Sequence, residues 1–384
     1  MQKSYSFYTL SLLAVLCITF QSCNKKVDGI DNNVVIETPY TLYYSDSAGA
    51  LYNTNDGIGI KKIVFTADGS PSRALCLSGT NIIWVKNGLY ESLDNGTNFN
   101  ACNYFDPTYA PYPQFQFLVN AGAVNQSLIL NATDENRLYI STSTPKIWVD
   151  LNGLQHIRGI GVAYSEQHGN TQTWAVDTFY DNNLDINDGA GHLYSNLFIT
   201  SFTQLKNNTV VGFDSGSNRT YTKANLTSPW FKKYLSNTDS LPHLNAGFTL
   251  GHFNNLLVAI DNKYGQGAYY SYDTGQSWQK FTGLPAGRNL YCASSPFDQV
   301  LLVGTDSMGV YKLTSDNSTN FVSANIGLEN LTTVRGIVGK SNVYKNNGLR
   351  QQYIYMATST GLYKSVDLGQ SWIRVQQGNL VSVY

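Results

Sequence analysis

The sequence predicts an all-β protein, a seven-bladed β-propeller of four-stranded antiparallel blades. One turn motif recurs at intervals of tens of residues, which is typical of a repeat architecture. Apolar residues occur in strand-length runs and not at helical spacing. The composition agrees, since 27 Tyr favour strands and 33 Gly favour turns, while only 13% of the residues are charged.

The recurring motif is Ser-x-Asp-x-Gly-x-(Ser/Asn)-(Trp/Phe). Its three clear copies place these positions at Ser92, Asp94, Gly96, Phe99, at Ser271, Asp273, Gly275, Trp278, and at Ser365, Asp367, Gly369, Trp372. A weaker copy between 314 and 321 keeps Asp316 and Phe321. We expect the Asp to accept hydrogen bonds from backbone N–H groups one and two residues further on, and the Gly to supply a positive φ. The aromatic residue then re-enters a strand and buries its ring under the turn. The motif therefore predicts a structural corner between two strands and demands no catalysis.

Similar strands precede these corners throughout the chain. Each unit reads as an apolar run, a Gly-containing turn, an aromatic strand and a corner, and the units start near 42, 82, 138, 210, 256, 300 and 353. Residues 41–384 divide into seven units of about 49 residues, within the roughly 40–50 residues of four-stranded propeller blades. The long interval from 138 to 210 holds either one blade with a large insertion or a degenerate eighth blade.

The corner motif resembles the Asp-box, also called the bacterial neuraminidase repeat. The resemblance covers the three clear corners, the weak one and, by periodicity, most of residues 41–384. Asp-box propellers include sialidases, sortilin-type proteins, xyloglucan-cleaving enzymes and photosystem assembly-factor-like proteins. The resemblance therefore implies the blade and leaves the function open. It also implies that the corners are peripheral structural turns, away from a central pocket.

The N-terminal segment predicts export. Lys3 precedes an apolar run from Thr9 to Phe20 that is too short to span a bilayer, as in a secretory signal. Cys23 follows Ser22 and resembles the lipid-attachment cysteine of a bacterial lipobox, with an ordinary signal peptide and an incidental Cys as the alternative. We expect a lipoprotein signal peptide over residues 1–22, a flexible tether over 23–40 and the β-propeller over 41–384.

Several chemistries have no support in the sequence. The net charge is −1 and no basic cluster occurs, so we expect no nucleic-acid partner. The five His form no H-x-x-x-H or H-x-H pair and no C-x-x-C occurs, so neither a zinc site nor any other cofactor is predicted. Cys76 and Cys102 either bridge neighbouring strands or, like Cys292, are small buried hydrophobes.

A calcium site has weak support at Asp181, Asp185 and Asp188, which alternate with other oxygen-bearing side chains as calcium ligands do. Gly is absent from the sixth position of that loop, and His192 stands where a Glu is needed. A polar surface loop is the alternative.

A binding surface for glycans is predicted on an aromatic loop, because flat rings stack on sugars. The loop lies in a Pro-rich stretch and carries Tyr104, Tyr109, Tyr112 and Phe115. Ordinary packing of these rings is the alternative.

The function that these observations favour is a cell-envelope lipoprotein, with the outer membrane as the favoured location, whose propeller is a non-catalytic platform that binds glycan or an envelope protein. One alternative is an Asp-box glycoside hydrolase that uses two carboxylates of the central funnel as acid and base. The arginine clamp and the Tyr–Glu pair of sialidases cannot be placed on this chain. A second alternative is an assembly factor for another envelope complex.

Overall fold

The computed structural model is built of strands, with one short 3-10 turn at Pro296–Asp298. It describes residues 36–38, 41–55, 59, 61–65, 74–78, 81–85, 89–101, 129–131, 138–141, 145–149, 155–159, 162–165, 174–176, 185–187, 192–195, 199–205, 209–214, 219–225, 231–233, 251–253, 256–261, 265–313, 315, 317–344 and 350–384. In chain order the strands are β1 (Ile36–Thr38), β2 (Leu42–Asp46), β3 (Ala50–Thr54), β4 (Lys61–Phe65), β5 (Ala74–Ser78), β6 (Asn81–Val85), β7 (Leu89–Ser92), β8 (Asn100–Ala101), β9 (Ile129–Asn131), β10 (Leu138–Ser141), β11 (Pro145–Val149), β12 (Gln155–Gly159), β13 (Val162–Ser165), β14 (Trp174–Val176), β15 (Asp185–Asn187), β16 (His192–Ser195), β17 (Ile199–Gln204), β18 (Val210–Asp214), β19 (Arg219–Lys223), β20 (Phe231–Lys233), β21 (Gly251–Phe253), β22 (Leu256–Ile260), β23 (Ala268–Ser271), β24 (Gln279–Lys280), β25 (Leu290–Ser294), β26 (Leu301–Thr305), β27 (Val310–Leu313), β28 (Val322–Ser323), β29 (Val334–Tyr344), β30 (Arg350–Thr358), β31 (Gly361–Ser365), β32 (Ile373–Gln377) and β33 (Leu380–Val383).

Within the described ranges these strands form eight sheets. From first to fourth strand, sheet 1 is β33-β2-β3-β4, sheet 2 is β5-β6-β7-β8, sheet 3 is β9-β10-β13-β14, sheet 4 is β17-β18-β19-β20, sheet 5 is β21-β22-β23-β24, sheet 6 is β25-β26-β27-β28 and sheet 7 is β29-β30-β31-β32, with β1 added beside β29. The eighth sheet is β11-β12-β16-β15, and it contains a parallel β12–β16 pair. We call it the inserted sheet, because β11 and β12 lie between the second and third strands of sheet 3 in the sequence. The predicted unit starts are confirmed as strands, because they coincide with β2, β6, β10, β18, β22, β26 and β30.

The chain divides into two compact units. One comprises residues 1–39 and 341–351, in which β1 pairs antiparallel with the outer part of β29 through Ile36 and Tyr344. This strand lies inside the stretch 23–40 for which the sequence predicts a tether. The other unit comprises residues 40–340 and 352–384.

Within the larger unit, the last strand completes the first sheet. β33 pairs antiparallel with β2, with Tyr44 opposite Val383. The N–H of Tyr43 donates to the Tyr384 carbonyl at 2.9 Å, and the N–H of Tyr384 donates back at 2.8 Å. Residues from the two ends of this unit are therefore neighbours in one sheet.

The core lies between consecutive sheets. One cluster joins sheets 5 and 6, and others join sheets 6 and 7, 7 and 1, 1 and 2, and 4 and 5. Neighbouring residues of one strand serve different clusters, since Tyr43 packs toward sheet 2 and Tyr44 toward sheet 7. This alternation follows from the two-residue period of a strand.

The Asp side chain of each clear corner holds the turn together. Asp367 Oδ1 accepts from the Ser365 hydroxyl at 2.7 Å and from the N–H groups of Gln370 and Ser371 at 3.0 Å, while Oδ2 accepts from the Ser371 hydroxyl. Asp273 makes the equivalent set. The backbone donors are therefore three and four residues further on, and the expected spacing of one and two was wrong.

The reason for this spacing is the backbone of the corner. The residue before the Gly and the Gly itself both have positive φ, 55° at Leu368 and 76° at Gly369, as at the two central positions of a type I′ turn. The chain thus turns back, and the next two N–H groups converge on the carboxylate. The Ser365 hydroxyl also accepts from the N–H of Gly369 at 2.8 Å. The predicted positive φ of Gly96, Gly275 and Gly369 is confirmed.

The aromatic residue of each clear corner packs against the preceding sheet. Trp372 of sheet 7 is 3% exposed and lies in the cluster shared with sheet 6, where its Nε1 donates to the Ala324 carbonyl at 2.9 Å. Trp278 of sheet 5 packs in the cluster with sheet 4, and Phe99 of sheet 2 packs in the cluster with sheet 1. The corner is therefore a contact between sheets as well as a turn within one.

The weak corner in sheet 6 works in a similar way. Asp316 lies outside the described residues, but Phe321 is buried and its ring packs edge-on against Phe281 of sheet 5 at 4.9 Å. The N–H of Phe321 donates to the Thr282 carbonyl at 2.9 Å, as the N–H of Trp372 donates to Ile326.

A glycine of the preceding sheet makes room for each of these last two contacts. A Cβ on Gly283 would lie 2.0 Å from the Phe321 carbonyl oxygen, and one on Gly327 would lie 2.0 Å from the Trp372 carbonyl oxygen. Both glycines also have positive φ. Neither glycine was singled out from the sequence.

We expect Gly283→Ala and Gly327→Ala each to lower the free energy of unfolding by at least about 2 kcal/mol, because the new methyl group meets a backbone atom. Gly287→Ala is the control, since its φ is also positive and nothing lies within 4 Å of its Cβ. That variant should cost only about 1 kcal/mol of backbone strain. Denaturant unfolding measures all three, and equal losses would contradict the close approach.

We expect the stability contributed by the corner carboxylate to depend on pH. Burial alone would raise the pKa of Asp367, but the hydrogen bonds from Ser371, Ser365 and Gln370 outweigh it and lower the pKa to about 2. The ionised group therefore stabilises the folded chain above the unfolded pKa of about 4, and this contribution is lost as the pH falls toward 2. The difference in unfolding free energy between the wild type and Asp367→Asn should shrink from pH 6 to pH 2, and a constant difference would refute the role.

Candidate functional site

One edge of the sheets collects hairpins and connections with many polar groups. In an antiparallel sheet the hairpin between the second and third strands lies at the same edge as the connection that enters the first strand, whereas the corners lie at the opposite edge. We call the former the hairpin edge, by which we mean these ends of the strands and not an edge strand. It is formed by the hairpins at residues 46–49, 306–309 and 358–361 and by the connections 286–289, 331–333 and 378–379. Hairpin and connection are bonded in each case, because Asp306, Ser359 and Ser47 donate their N–H to the carbonyls of Asn289, Thr333 and Asn379 at 2.9 Å.

Hydroxyl groups continue this network between the connection 331–333 and sheet 7. The N–H of Thr333 donates to the Ser359 hydroxyl at 3.0 Å, and the hydroxyls of Thr332 and Thr360 are 3.3 Å apart. Thr360 also lies 3.1 Å from the Tyr363 hydroxyl. These side chains hold the hairpin edge in a defined arrangement.

A cleft opens in the hairpin edge where sheet 1 follows sheet 7. Its volume is about 130 Å³. It is lined by Tyr44, Asp46, Ser47, Ala48, Tyr52, Gln376, Gln377, Gly378, Asn379 and Leu380. The pairing of β33 with β2 brings these two groups of residues together.

Asp46 organises the hairpin side of the cleft. Its Oδ1 accepts from the N–H groups of Ala48 at 3.0 Å and Ala50 at 2.8 Å, and its Oδ2 accepts from the Tyr52 hydroxyl at 3.0 Å. The hydrogen bond to Asp46 and burial both raise the pKa of Tyr52, with burial as the larger cause. Asp46 therefore fixes the turn and the Tyr52 ring.

Tyr44 is a buried residue of the cleft wall. It is 1% exposed, and its ring stacks on Tyr52 with 5.2 Å between centroids. Its hydroxyl is buried and has no hydrogen-bond partner among the residues that the structure describes. Burial, with the nearby Tyr52 and Asp46, raises the pKa of Tyr44, so the hydroxyl is protonated and is available both to donate and to accept.

Side-chain amides form the opposite wall. Arg335 donates to Asn379 Oδ1 at 2.5 Å and to the Leu380 carbonyl at 2.7 Å. Because the guanidinium only donates, this contact fixes the Asn379 amide with Nδ2 as its outward donor. Gln376 Nε2 donates to the Gln377 carbonyl at 3.2 Å, which leaves Oε1 as an acceptor.

This arrangement suits hydrogen bonding to a neutral ligand. Among the residues that line the cleft, Asp46 is the single carboxylate, and both of its oxygens already hold donors. Glycoside hydrolysis requires two carboxylates, so these lining residues do not supply the acid and base of the enzymatic alternative.

With the strands and the cleft described, comparison with solved structures identifies the fold. YCF48 from Cyanidioschyzon merolae superposes with a TM-score of 0.50 at 12% identity, covering 91% of this chain and 97% of that one. The fold is a β-propeller. The predicted all-β class is confirmed. The predicted four-stranded antiparallel sheets are confirmed for sheets 1–7, apart from the added β1, whereas the inserted sheet contains a parallel pair.

Two further structures are similar at lower scores. A structure of YCF48 bound to D1 peptide has a TM-score of 0.47 at 12% identity and covers 83% of this chain and 85% of that one. The GH74 xyloglucanase from Xanthomonas campestris has a TM-score of 0.34 at 14% identity and covers 87% of this chain and 60% of that one. No protein-family model and no curated sequence matches the chain, so the Asp-box family stays a resemblance of the corners.

The other sites expected from the sequence are placed as follows. The corner residues lie at the edge opposite the cleft, where their contacts are structural. The predicted positions outside the described residues are Cys23, Cys102, Tyr104, Tyr109, Tyr112, Phe115, Asp181, Asp188 and Asp316, while Cys76 lies in β5 and Asp185 in β15. Across the described ranges, no group of three or more His, Cys, Asp and Glu could hold a metal ion. In that same part of the chain, no helix is long and apolar enough to cross a membrane. Cys292 is buried and free, and burial raises the pKa of its thiol to about 12.

No pattern in the sequence marks the cleft as a whole, although one pattern marks its hairpin. The tetrapeptide Asp46-Ser47-Ala48-Gly49 has the same pattern as Asp306-Ser307-Met308-Gly309, at the same hairpin of two sheets. The amide wall carries no such pattern.

We expect the unpartnered Tyr44 hydroxyl to cost stability in the unliganded protein. Tyr44→Phe should raise the free energy of unfolding by about 1 kcal/mol, because a buried hydroxyl without a partner is removed. Tyr43→Phe is the matched control on the same strand, where the hydroxyl is hydrogen-bonded to Asn53. That variant should lower the free energy by about 1 kcal/mol. Denaturant unfolding decides between them, and a loss of stability in both variants would contradict the assignment.

Proposed function

We propose that this protein is a cell-envelope lipoprotein with a seven-bladed β-propeller that recognises glycans and does not cleave them. The lipid anchor would be at Cys23, with the outer membrane as the favoured location. The hairpin edge would be the binding face.

Seven blades are supported by the order of the strands. In chain order, sheet 2 and sheets 4–7 run from first to fourth strand as meanders, sheet 3 does so around the inserted strands β11 and β12, and β33 supplies the first strand of sheet 1. The inserted sheet takes β11 and β12 from the connection within sheet 3, and β15 and β16 from the connection between sheets 3 and 4. Because β11 and β12 interrupt sheet 3 in the sequence, this order supports counting the inserted sheet with the third blade and not as an eighth blade.

The observation that carries glycan recognition is the composition of the cleft. Three primary amides, two tyrosine side chains and one carboxylate whose two oxygens both accept hydrogen bonds surround it. Amides and hydroxyls both donate and accept, as sugar hydroxyls do. The absence of a second carboxylate among the lining residues favours binding over hydrolysis.

The test uses the purified full-length chain with insoluble polysaccharides, namely cellulose, xylan, chitin and peptidoglycan sacculi. We expect at least one of them to deplete the chain from solution, with no release of reducing ends above that of a heat-denatured sample. Steady release of reducing ends would establish the hydrolase instead. Retention by none of the four, with capture of a specific envelope protein from native membranes, would replace the glycan by a protein partner.

We expect Cys23→Ser to release the chain from the membrane. If Cys23 carries the lipid, the wild type should sediment with membranes and incorporate labelled fatty acid, and the variant should do neither. Cys17→Ser is the control, because Cys17 lies within the expected signal peptide. Labelling that persists in Cys23→Ser would rule out this anchor.

A further inference from the structure

We propose that the cleft binds a single neutral sugar ring, with the Tyr44 hydroxyl and the Asn379 amide as its two specificity-determining contacts. This inference rests on the proposed function and names the ligand class and the contacts of that same site. It follows from the size of the cleft, its charge, its unused hydrogen-bonding groups and the way its backbone is closed.

The size of the cleft limits the ligand to one small unit. Its volume of about 130 Å³ is well below the ~300–1,000 Å³ of pockets that enclose drug-sized ligands. A terminal residue of a glycan, or one ring of a chain that continues into solvent, matches this space.

The charges around the cleft favour a neutral ligand. No Lys, Arg or His is among its lining residues, so an anionic ligand has no counter-charge there. Arg335 contacts the cleft wall, but its guanidinium donates hydrogen bonds to Asn379 Oδ1 and to the Leu380 carbonyl. The oxygens of Asp46 accept three hydrogen bonds, which leaves a cation few free lone pairs to coordinate.

The available hydrogen-bonding groups match hydroxyls. The Tyr44 hydroxyl is buried and has no partner within the described part of the chain, which costs free energy unless a ligand or a water molecule supplies the missing hydrogen bond. Asn379 presents Nδ2 as a donor, and Gln376 presents Oε1 as an acceptor. A sugar hydroxyl both donates and accepts, so one ring satisfies groups of both kinds.

The backbone around the cleft argues against an extended peptide as the ligand. Peptides that bind by strand addition need an edge strand whose backbone N–H and carbonyl groups are unpaired. Here the N–H of Ser47 is bonded to the Asn379 carbonyl, and the N–H of Gly49 to the Asp46 carbonyl, at 2.9 and 3.2 Å. The hairpin and the connection therefore close the cleft against each other.

Saturation-transfer NMR on the purified full-length chain tests the proposal, with glucose, galactose, mannose, xylose and N-acetylglucosamine as probes. We expect at least one sugar to receive saturation from the protein. Titration should then show about a 10-fold weaker Kd for Tyr44→Phe, as the loss of one hydrogen bond worth about 1.4 kcal/mol predicts. The Tm of that variant should be unchanged or raised, which separates lost binding from lost folding.

Asn379→Asp is the second variant, because a carboxylate keeps the contact with Arg335 and removes the Nδ2 donor. It should weaken binding about as much as Tyr44→Phe, while Tyr43→Phe should bind like the wild type. Equal affinity of the wild type and both cleft variants would overturn the site even if glycans bind elsewhere, which leaves the proposed function standing. Saturation of none of the five sugars would overturn the inference by itself, whatever the polysaccharides of the previous test show.

Discussion

The indole of Trp372 illustrates the contact on which the larger unit depends. Trp372 belongs to sheet 7, but its ring N–H donates to the Ala324 carbonyl and its backbone N–H donates to the Ile326 carbonyl. Both acceptors lie just after the last strand of sheet 6. Lys312 of sheet 6 donates in return to the Leu368 carbonyl at 2.8 Å. The Asp-held corner thus aims an aromatic ring at the neighbouring sheet, so local turn chemistry determines how two sheets pack.

The polar groups at the two ends of the strands are hydrogen-bonded differently. At the ends of the strands where the corners lie, the carboxylates accept hydrogen bonds from backbone N–H and hydroxyl groups of their own turns. Few of their lone pairs are therefore free to bind a ligand. At the hairpin edge the turns are held by similar bonds around Asp46, but the buried hydroxyl of Tyr44 is left over. This buried hydroxyl beside the cleft is the observation on which the proposed binding site rests.

The elements that the sequence predicted are those set by nearby residues. Strand starts, corners and the positive φ of Gly275 and Gly369 follow from patterns a few residues long. The spacing expected for the backbone donors at Asp273 and Asp367 was wrong. The residues just before the glycines, Thr274 and Leu368, also adopt positive φ, which non-Gly residues rarely do. Gly283 and Gly327 escaped because their constraint comes from another sheet. The cleft escaped because Tyr44 and Asn379, more than 300 positions apart in the sequence, meet only when β33 joins sheet 1.

Hydrogen exchange on Trp372→Leu tests the central claim most directly, because it reports stability sheet by sheet. If the corner ring holds two sheets together, amide protection should fall in the 322–326 segment of sheet 6 as well as around the corner at 365–371 of sheet 7. Protection lost only within sheet 7, with sheet 6 unchanged, would contradict the account and reduce the corner to a turn of its own sheet.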